Sequence, residues 1–449
     1  MPAPDDVSQP VAVFATERRM PDSPWSAMPR PVFSGGNQLQ LLRGGDMLFP
    51  AMLQAIQRAT SEIWLATYIF NNDPASEAVA QALAEAALRG VQVRVVLDGF
   101  GGKASLGAIA EVLRPAGVQL TIFRPLKRWW HWLQPQNLRR LHQKLCVVDG
   151  RIGFVGGINM IDDRLDLHHG WTESPRLDFA VQISGPVVQE VEQTISAVWS
   201  RSQLGSHFKQ ELTSIALKEQ PLANAKRLLS GLRMTQNARQ TRHSAIEAAK
   251  IATTALQPMR VAFLLRDNFR QRRTIERSYI DAIRRSHTRV DLISAYFYPG
   301  REFRRALVDA AQRGVRVRLL LQGKVDYRMA GLAARALYDE LLGHGVQIFE
   351  YTPAFLHAKV AVVDDDWATV GSSNIDPLSL LLNLEANVVV RDASFTAELA
   401  AQFDMAVAAS SAIDPSQSYR PGVLGALRRG FVAWCAHAYL RLAGAEGKY

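Results

Sequence analysis

Apolar and polar positions along this chain run through one cycle of elements twice. Ile63-Trp64-Leu65-Ala66-Thr67-Tyr68-Ile69-Phe70 is a nearly unbroken apolar run of strand length. Helical spacing follows from Ser76 to Leu88, then a stop at Arg89-Gly90 and an alternating strand from Val91 to Leu97. The same order returns as Val290 to Tyr298, Glu302 to Arg313, Gly314, and Val315 to Leu321, and Gly117 to Phe123 has its match in Gly345 to Phe349. Strands and helices in alternation predict an α/β fold, with a mixed β-sheet flanked by helices in each half. The cycle places a first domain at 37–203 and a second at 258–414, leaving a flexible N-terminal arm (1–36), a polar helical connector (204–257) and a C-terminal amphipathic segment (415–449).

The segments outside the cycle lack its pattern. The first 35 residues are broken by Pro2, Pro4, Pro10, Pro21, Pro24, Pro29 and Pro31 and hold no apolar stretch of signal-peptide or spanning character. The connector, with Lys218, Glu219, Arg227 and Glu247, reads as exposed helix without a core. From Val423 to Leu442, Leu424, Leu427, Phe431, Trp434, Ala438 and Leu442 recur at helical spacing, interrupted by Arg428, Arg429, His437 and Arg441. Such a stripe suits a helix lying in a membrane interface or packed on the protein itself, and makes a poor spanning helix.

With 449 residues, 48% of them hydrophobic, the chain can bury two sizeable cores. Lys and Arg number 52 against 42 Asp and Glu, a net charge of +10 that favours an anionic partner, either a phospholipid surface or nucleic acid. The two cysteines, Cys146 and Cys435, suggest neither a disulfide framework nor a zinc site and suit a reducing compartment.

The strongest signal is chemical and falls at matching points of the two cycles. Leu141-His142-Gln143-Lys144-Leu145-Cys146-Val147-Val148-Asp149 returns as Leu356-His357-Ala358-Lys359-Val360-Ala361-Val362-Val363-Asp364. Each phrase is followed at the same spacing by a glycine-rich tail, Gly156-Gly157-Ile158-Asn159 and Gly371-Ser372-Ser373-Asn374. Alternate residues of a strand share a face, so each His-x-Lys presents an imidazole and an ammonium together. Two such faces in one place supply one imidazole to attack, another to protonate a leaving group, and two lysines for anionic oxygens.

These phrases resemble the phospholipase D superfamily, whose signature is His-x-Lys, an aspartate further along the strand, and a Gly-[Gly/Ser]-x-Asn tail, used in two copies. The resemblance implies two pseudo-twofold-related domains with one shared active site, and phosphodiester chemistry through a covalent phosphohistidine without metal or cofactor. It assigns His142 as nucleophile and His357 as general acid, with Lys144, Lys359, Asn159, Asn374 and Ser372 toward the phosphoryl oxygens. Asp149 and Asp364 complete the catalytic motifs, organising the basic cluster and its loops. Asp178 in Arg176-Leu177-Asp178-Phe179 and Glu385 in Leu384-Glu385-Ala386-Asn387 would each hydrogen-bond a catalytic histidine.

Within the superfamily, Gly44-Gly45-Asp46, Leu97-Asp98-Gly99-Phe100-Gly101 and Ala295-Tyr296-Phe297-Tyr298-Pro299-Gly300 look like bacterial cardiolipin synthases of the short type, which lack N-terminal transmembrane helices. That implies a transferase moving a phosphatidyl group between phosphatidylglycerol molecules. Its partners would be anionic phospholipids at a membrane surface, with no nucleic acid, and its place the cytoplasmic side of the bacterial inner membrane, held peripherally. Two departures stand out: Ala66 replaces a glutamate common in members, and Gly157 stands in one tail where Ser372 stands in the other. An inserted loop before the first motif carries Lys127, Arg128, Trp129, Trp130 and Trp132, a composition that suits the phospholipid headgroup region but could also stack nucleobases. A nuclease with the same motifs, which the pI of about 9.7 permits, and an idle membrane-binding protein, which the intact histidines and lysines oppose, are the alternatives.

Overall fold

The computed structural model describes residues 31–125, 139–215, 259–266, 271, 273–325, 328–381 and 383–414. The Lys127 to Trp132 loop, nearly all of the N-terminal arm, most of the connector and the 415–449 segment fall outside the described residues, as do the expectations placed on them.

The first half runs β1 (Ser34–Arg43), α1 (Gly45–Gln57), β2 (Glu62–Thr67), α2 (Pro74–Leu88), β3 (Gln92–Asp98), α3 (Leu106–Leu113), β4 (Gln119–Phe123), β5 (Leu145–Val148) and β6 (Ile152–Gly156). It continues through a small hairpin, β7 (Leu165–Asp166) and β8 (Gly170–Trp171), to β9 (Phe179–Ser184) and α4 (Val187–Ile215). The second half runs β10 (Met259–Arg266), α5 (Thr274–Arg285), β11 (Arg289–Ser294), α6 (Arg301–Gln312), β12 (Arg316–Gln322), α7 (Arg328–Arg335), α8 (Tyr338–Leu342), β13 (Gln347–Tyr351), β14 (Lys359–Val363) and β15 (Trp367–Gly371). It ends in α9 (Pro377–Leu381), β16 (Glu385–Arg391), α10 (Ala393–Ala408) and β17 (Ser410–Ala412). Local chemistry sets the ends of α2: the Asp73 side chain accepts from the Ser76 N–H, Pro74 opens the first turn, and Gly90 follows at a φ of 93°. Helix α4 continues past Gln203, where the sequence pattern placed the end of the first domain.

Among the described residues, fifteen strands join in one sheet, in the order β17-β13-β12-β11-β14-β15-β16-β10-β1-β9-β6-β5-β2-β3-β4. Read outward from the middle, both halves show the same succession of four antiparallel pairings and then two parallel ones, and in the second half β17 adds a short antiparallel strand at the rim. The halves meet where β1 pairs antiparallel with β10, Ser34 opposite Val261 and Asn37 opposite Met259. That is the arrangement a twofold relation between the repeats requires. Side chains alternate between layers: Phe179, Val181 and Ile183 of β9 enter a core shared by both halves, while Ala180 points to the first half's own core. The shared core lies under α4 and α10, with Val187, Val191, Ile195, Phe395, Leu399 and Phe403 in it, so one hydrophobic layer fuses the two repeats.

Candidate active site at the seam

Each motif histidine is stitched to the opposite half. The His142 N–H donates to the Leu384 carbonyl at 3.0 Å, and the Leu384 N–H to the Arg140 carbonyl at 2.8 Å. Across the seam, the His357 N–H donates to the Leu177 carbonyl and the Leu177 N–H to the Phe355 carbonyl, both at 2.9 Å. Leu384 and Leu177 each precede a carboxylate, so the same bridges deliver that carboxylate to the histidine. His142 Nδ1 lies 3.0 Å from Glu385 Oε2, and His357 Nδ1 lies 2.7 Å from Asp178 Oδ2. Each imidazole is therefore oriented by the half that does not contain it. Lys144 Nζ donates to the His142 carbonyl at 2.7 Å, and Lys359 Nζ lies 2.7 Å from His357 Nδ1. One expectation is refined here: the motif histidines lie ahead of their strands, His142 before β5 (Leu145–Val148) and His357 before β14 (Lys359–Val363). The pairing begins at Lys144, whose carbonyl accepts from the Gly156 N–H at 3.3 Å, while His142 gives its N–H to Leu384 and Gln143 Nε2 donates to the Glu385 carbonyl at 3.2 Å.

Two more expectations change. Ser372 does not stand free for a phosphate: its hydroxyl donates to Glu385 Oε2 at 2.6 Å, the same oxygen that faces His142, and accepts from the Ala386 N–H at 3.0 Å. Asp149 and Asp364 leave the catalytic set. Each sits in the turn after its strand, about 16 Å along the chain from the motif lysine at 3.3 Å per residue. Asp149 accepts from the N–H groups of Thr60, Ser61 and Glu62, and Asp364 from those of His287, Thr288 and Arg289. They tie the start of β2 and β11 to the motif strand and do not organise the basic cluster. Asn159 and Asn374 are both buried; Asn159 Oδ1 accepts from the Ile69 N–H at 3.4 Å, while Asn374 Oδ1 has no partner among the described residues.

Electrostatics distinguish the two sides. Burial pulls the His142 imidazole below its ordinary value, with Glu385 opposing and Lys144 assisting. His357 is pulled well below, by burial and then by Lys359, Arg176 and Lys144. Burial alone would raise the Glu385 carboxyl, but His142, Lys144 and the Ser372 hydroxyl hold it below the ordinary glutamate range. Burial wins at Asp178, which rises to about 6 despite Lys359 and Lys144. Lys144 falls to about 7, chiefly through burial.

Three neighbours escaped the sequence reading. Tyr68 packs edge-on to His142, ring centroids 5.1 Å apart, and takes the Lys144 ammonium over its face at 5.5 Å. Asp98, at the end of β3, accepts from the Leu141 N–H at 2.9 Å, and Gln322, at the end of β12, donates to the Leu356 carbonyl at 2.9 Å. Each thus pins the residue before a motif histidine. The signal was a polar residue closing an apolar parallel strand, visible in Val93 to Asp98 and Val317 to Gln322.

Over residues 52–199 and 279–407 the chain matches the family described as cardiolipin synthase, PLD-like domain. This chain belongs to that family. Cardiolipin synthase family relatives include cardiolipin synthase B of Escherichia coli K12, 36% identical over 366 residues, which covers 81% of this chain and 79% of the relative. Cardiolipin synthase A of Pseudomonas putida KT2440 is 31% identical over 359 residues, 80% of this chain and 66% of the relative. The crystal structure of phosphatidylserine synthase from Haemophilus influenzae Rd KW20 shares the fold at 12% identity, with a TM-score of 0.58 over 90% of this chain and 95% of that one. The two-motif, phospholipase D-like architecture expected from the sequence is thus shown for this member of the cardiolipin synthase family.

Proposed function

We propose that this phospholipase D-like phosphatidyltransferase makes cardiolipin: it moves a phosphatidyl group from phosphatidylglycerol to the hydroxyl of a second phosphatidylglycerol, through a phosphohistidine on His142. The observation that carries the reading is the crossed pairing of two buried histidines with two carboxylates. An ionised Glu385 accepts only, so His142 keeps its proton on Nδ1 and its lone pair on Nε2, as a nucleophile needs. Attack by Nε2 forms the phosphorus–nitrogen bond and breaks the phosphorus–oxygen bond to the leaving glycerol. His357 gives its proton to that alkoxide, then takes one from the incoming hydroxyl, whose oxygen displaces His142 from phosphorus. Burial and nearby cations keep His357 neutral in the empty site, and the phosphodiester anion offsets those cations so that it can hold the proton. Lys144 and Lys359, with Asn159 and Asn374, support the charge on the equatorial oxygens.

The same reading places the protein peripherally on the membrane holding these lipids, on its cytoplasmic side; among the described residues no helix is long and apolar enough to cross a membrane. The test is incubation of the purified protein with phosphatidylglycerol vesicles, with and without EDTA, beside single- and double-stranded nucleic acid. Cardiolipin and free glycerol should form in both buffers, and acid-labile label from the phosphatidyl group should map to His142 after denaturation. Nucleic-acid cleavage without lipid conversion would replace this reading by a nuclease, and label on His357 would reverse the roles of the histidines.

A further inference from the structure

The segment linking β6 to β9 in the first half contains the β7–β8 hairpin, whereas among the described residues the corresponding segment of the second half holds the short helix α9 and no strand. The hairpin displays two large apolar side chains, Leu167 at 52% and Trp171 at 61% exposure. Their display is built. The Asp166 carboxylate accepts from the backbone N–H groups of His168 and His169, both at 2.9 Å, and faces His169 Nδ1, fixing the tip. The Thr172 N–H and hydroxyl donate to the Arg164 carbonyl at 2.7 and 3.0 Å, and the Arg176 guanidinium donates to the Leu165 carbonyl at 3.0 Å. The hairpin also lies near the His357 side of the site. Its His169 ring lies 5.1 Å from that of Phe355, two residues before His357, and a five-residue connection leads from Trp171 to Leu177 and Asp178.

We propose that this hairpin is a membrane-seating element, with Leu167 and Trp171 entering the boundary between headgroups and acyl chains and setting the His357 side of the site against the bilayer. The inference rests on the reading of this chain as an enzyme of bilayer phospholipids. Because the hairpin packs on Phe355 and leads by a short connection to Leu177 and Asp178, a surface seated on it comes close to the residues that orient His357, and the substrate's own bilayer is the surface that must come there. An indole suits that boundary, having an apolar body and a polar N–H. Arg164 is engaged with Asp46, and Asp166 with His169 and Arg176, while the exposed Glu173 adds no attraction to an anionic surface, so the contact rests on the two apolar side chains, whose share is indifferent to salt. That separates it from any attraction made by the basic Lys127–Arg128 pair, which ionic strength would weaken.

The experiment compares full-length wild type with the double variant Leu167→Ser, Trp171→Ser on vesicles of phosphatidylglycerol and phosphatidylethanolamine, beside short-chain phosphatidylglycerol dissolved as monomers. The variant should bind vesicles about tenfold more weakly, by the same factor at low and high salt, and turn over the monomeric lipid as wild type does. Quenching by lipids brominated along their acyl chains should fall in Trp171→Phe by the share that indole contributes. Unchanged vesicle binding, an equal loss on the monomeric lipid, or dissociation of an oligomer with bilayer binding intact would overturn the proposal. Wild type that binds vesicles through the hairpin but converts no lipid would defeat the functional reading and leave the seating role standing.

Discussion

The two histidines stand at equivalent points of equivalent half-sheets, yet their surroundings are not equivalent. His142 faces a long carboxylate, Glu385, whose oxygen is also held by Ser372, and a tyrosine ring closes over it. His357 faces a short carboxylate, Asp178, and shares its Nδ1 with Lys359; the residue matching Tyr68 is Ala295. Tail and carboxylate are matched within each half. A Cβ on Gly157 would lie 2.3 Å from Asp178 Oδ1, so the short carboxylate needs glycine beside it, while the longer one leaves room for the serine that holds it. Repetition of the fold sets where the imidazoles are, and side-chain length and neighbours set what each is ready to do.

The carboxylates offer the largest test of that contrast. Glu385→Gln should lower kcat about 10³-fold by freeing the His142 tautomer, and Asp178→Asn about tenfold less, because Lys359 still engages His357. Single-turnover kinetics should show adduct formation as the step lost in Glu385→Gln. Gly157→Ser should resemble or exceed Asp178→Asn by displacing that carboxylate, whereas Ser372→Gly removes one hydrogen bond and should cost about tenfold. Equal losses on the two sides would dissolve the contrast.

The pH profile gives a smaller effect. In the free enzyme kcat/KM should rise with pH through the depressed histidine value, below 6.5, and fall as pH passes about 7, where Lys144 loses its charge. Lys144→Arg should move the alkaline limb upward, and an unmoved limb would give that titration to another group.

The smallest effect concerns the motif aspartates. Burial alone would raise their carboxyls, but the backbone N–H groups at the start of β2 and β11 hold both below the ordinary 3.8. A depressed folded-state value contributes stability that is complete above the unfolded value of 3.8 and lost as pH falls from there through the lower folded-state value. Screened by solvent at this partly exposed turn, Asp149→Asn should cost about 1 kcal/mol at neutral pH, with the Tm difference from wild type shrinking in acid and kcat per folded molecule kept. A large fall in kcat would return Asp149 to the chemistry.

Much of this was legible in the sequence. The strand and helix cycle rests on periodicity, and the paired motifs on short spacings; both are local, so Ile63 to Leu97 and its echo at Val290 to Leu321 could be read directly. The crossing of Glu385 to His142 and of Asp178 to His357 was not legible, because it depends on which edge strands meet at β1 and β10. Ser372 was misassigned for a different reason, the pairing of β15 with β16 inside one half: a hydroxyl in a glycine-rich tail suggests phosphate until Glu385 is seen beside it. The β7–β8 hairpin escaped because two-residue strands carry no period.

The crossed bridges also bear on how the protein is made. Synthesis proceeds from the N-terminus and domains fold as they emerge, so the first half can form its own core while the second is still unmade. At that stage His142 is present but Glu385 is not, and Asp178 has no histidine to hold. On the roles proposed above, the half-made chain is chemically mute. The proposed nucleophile gains its carboxylate only when β10 and β16 have been added to the sheet, so assembly of the second half and ignition of that chemistry are one event.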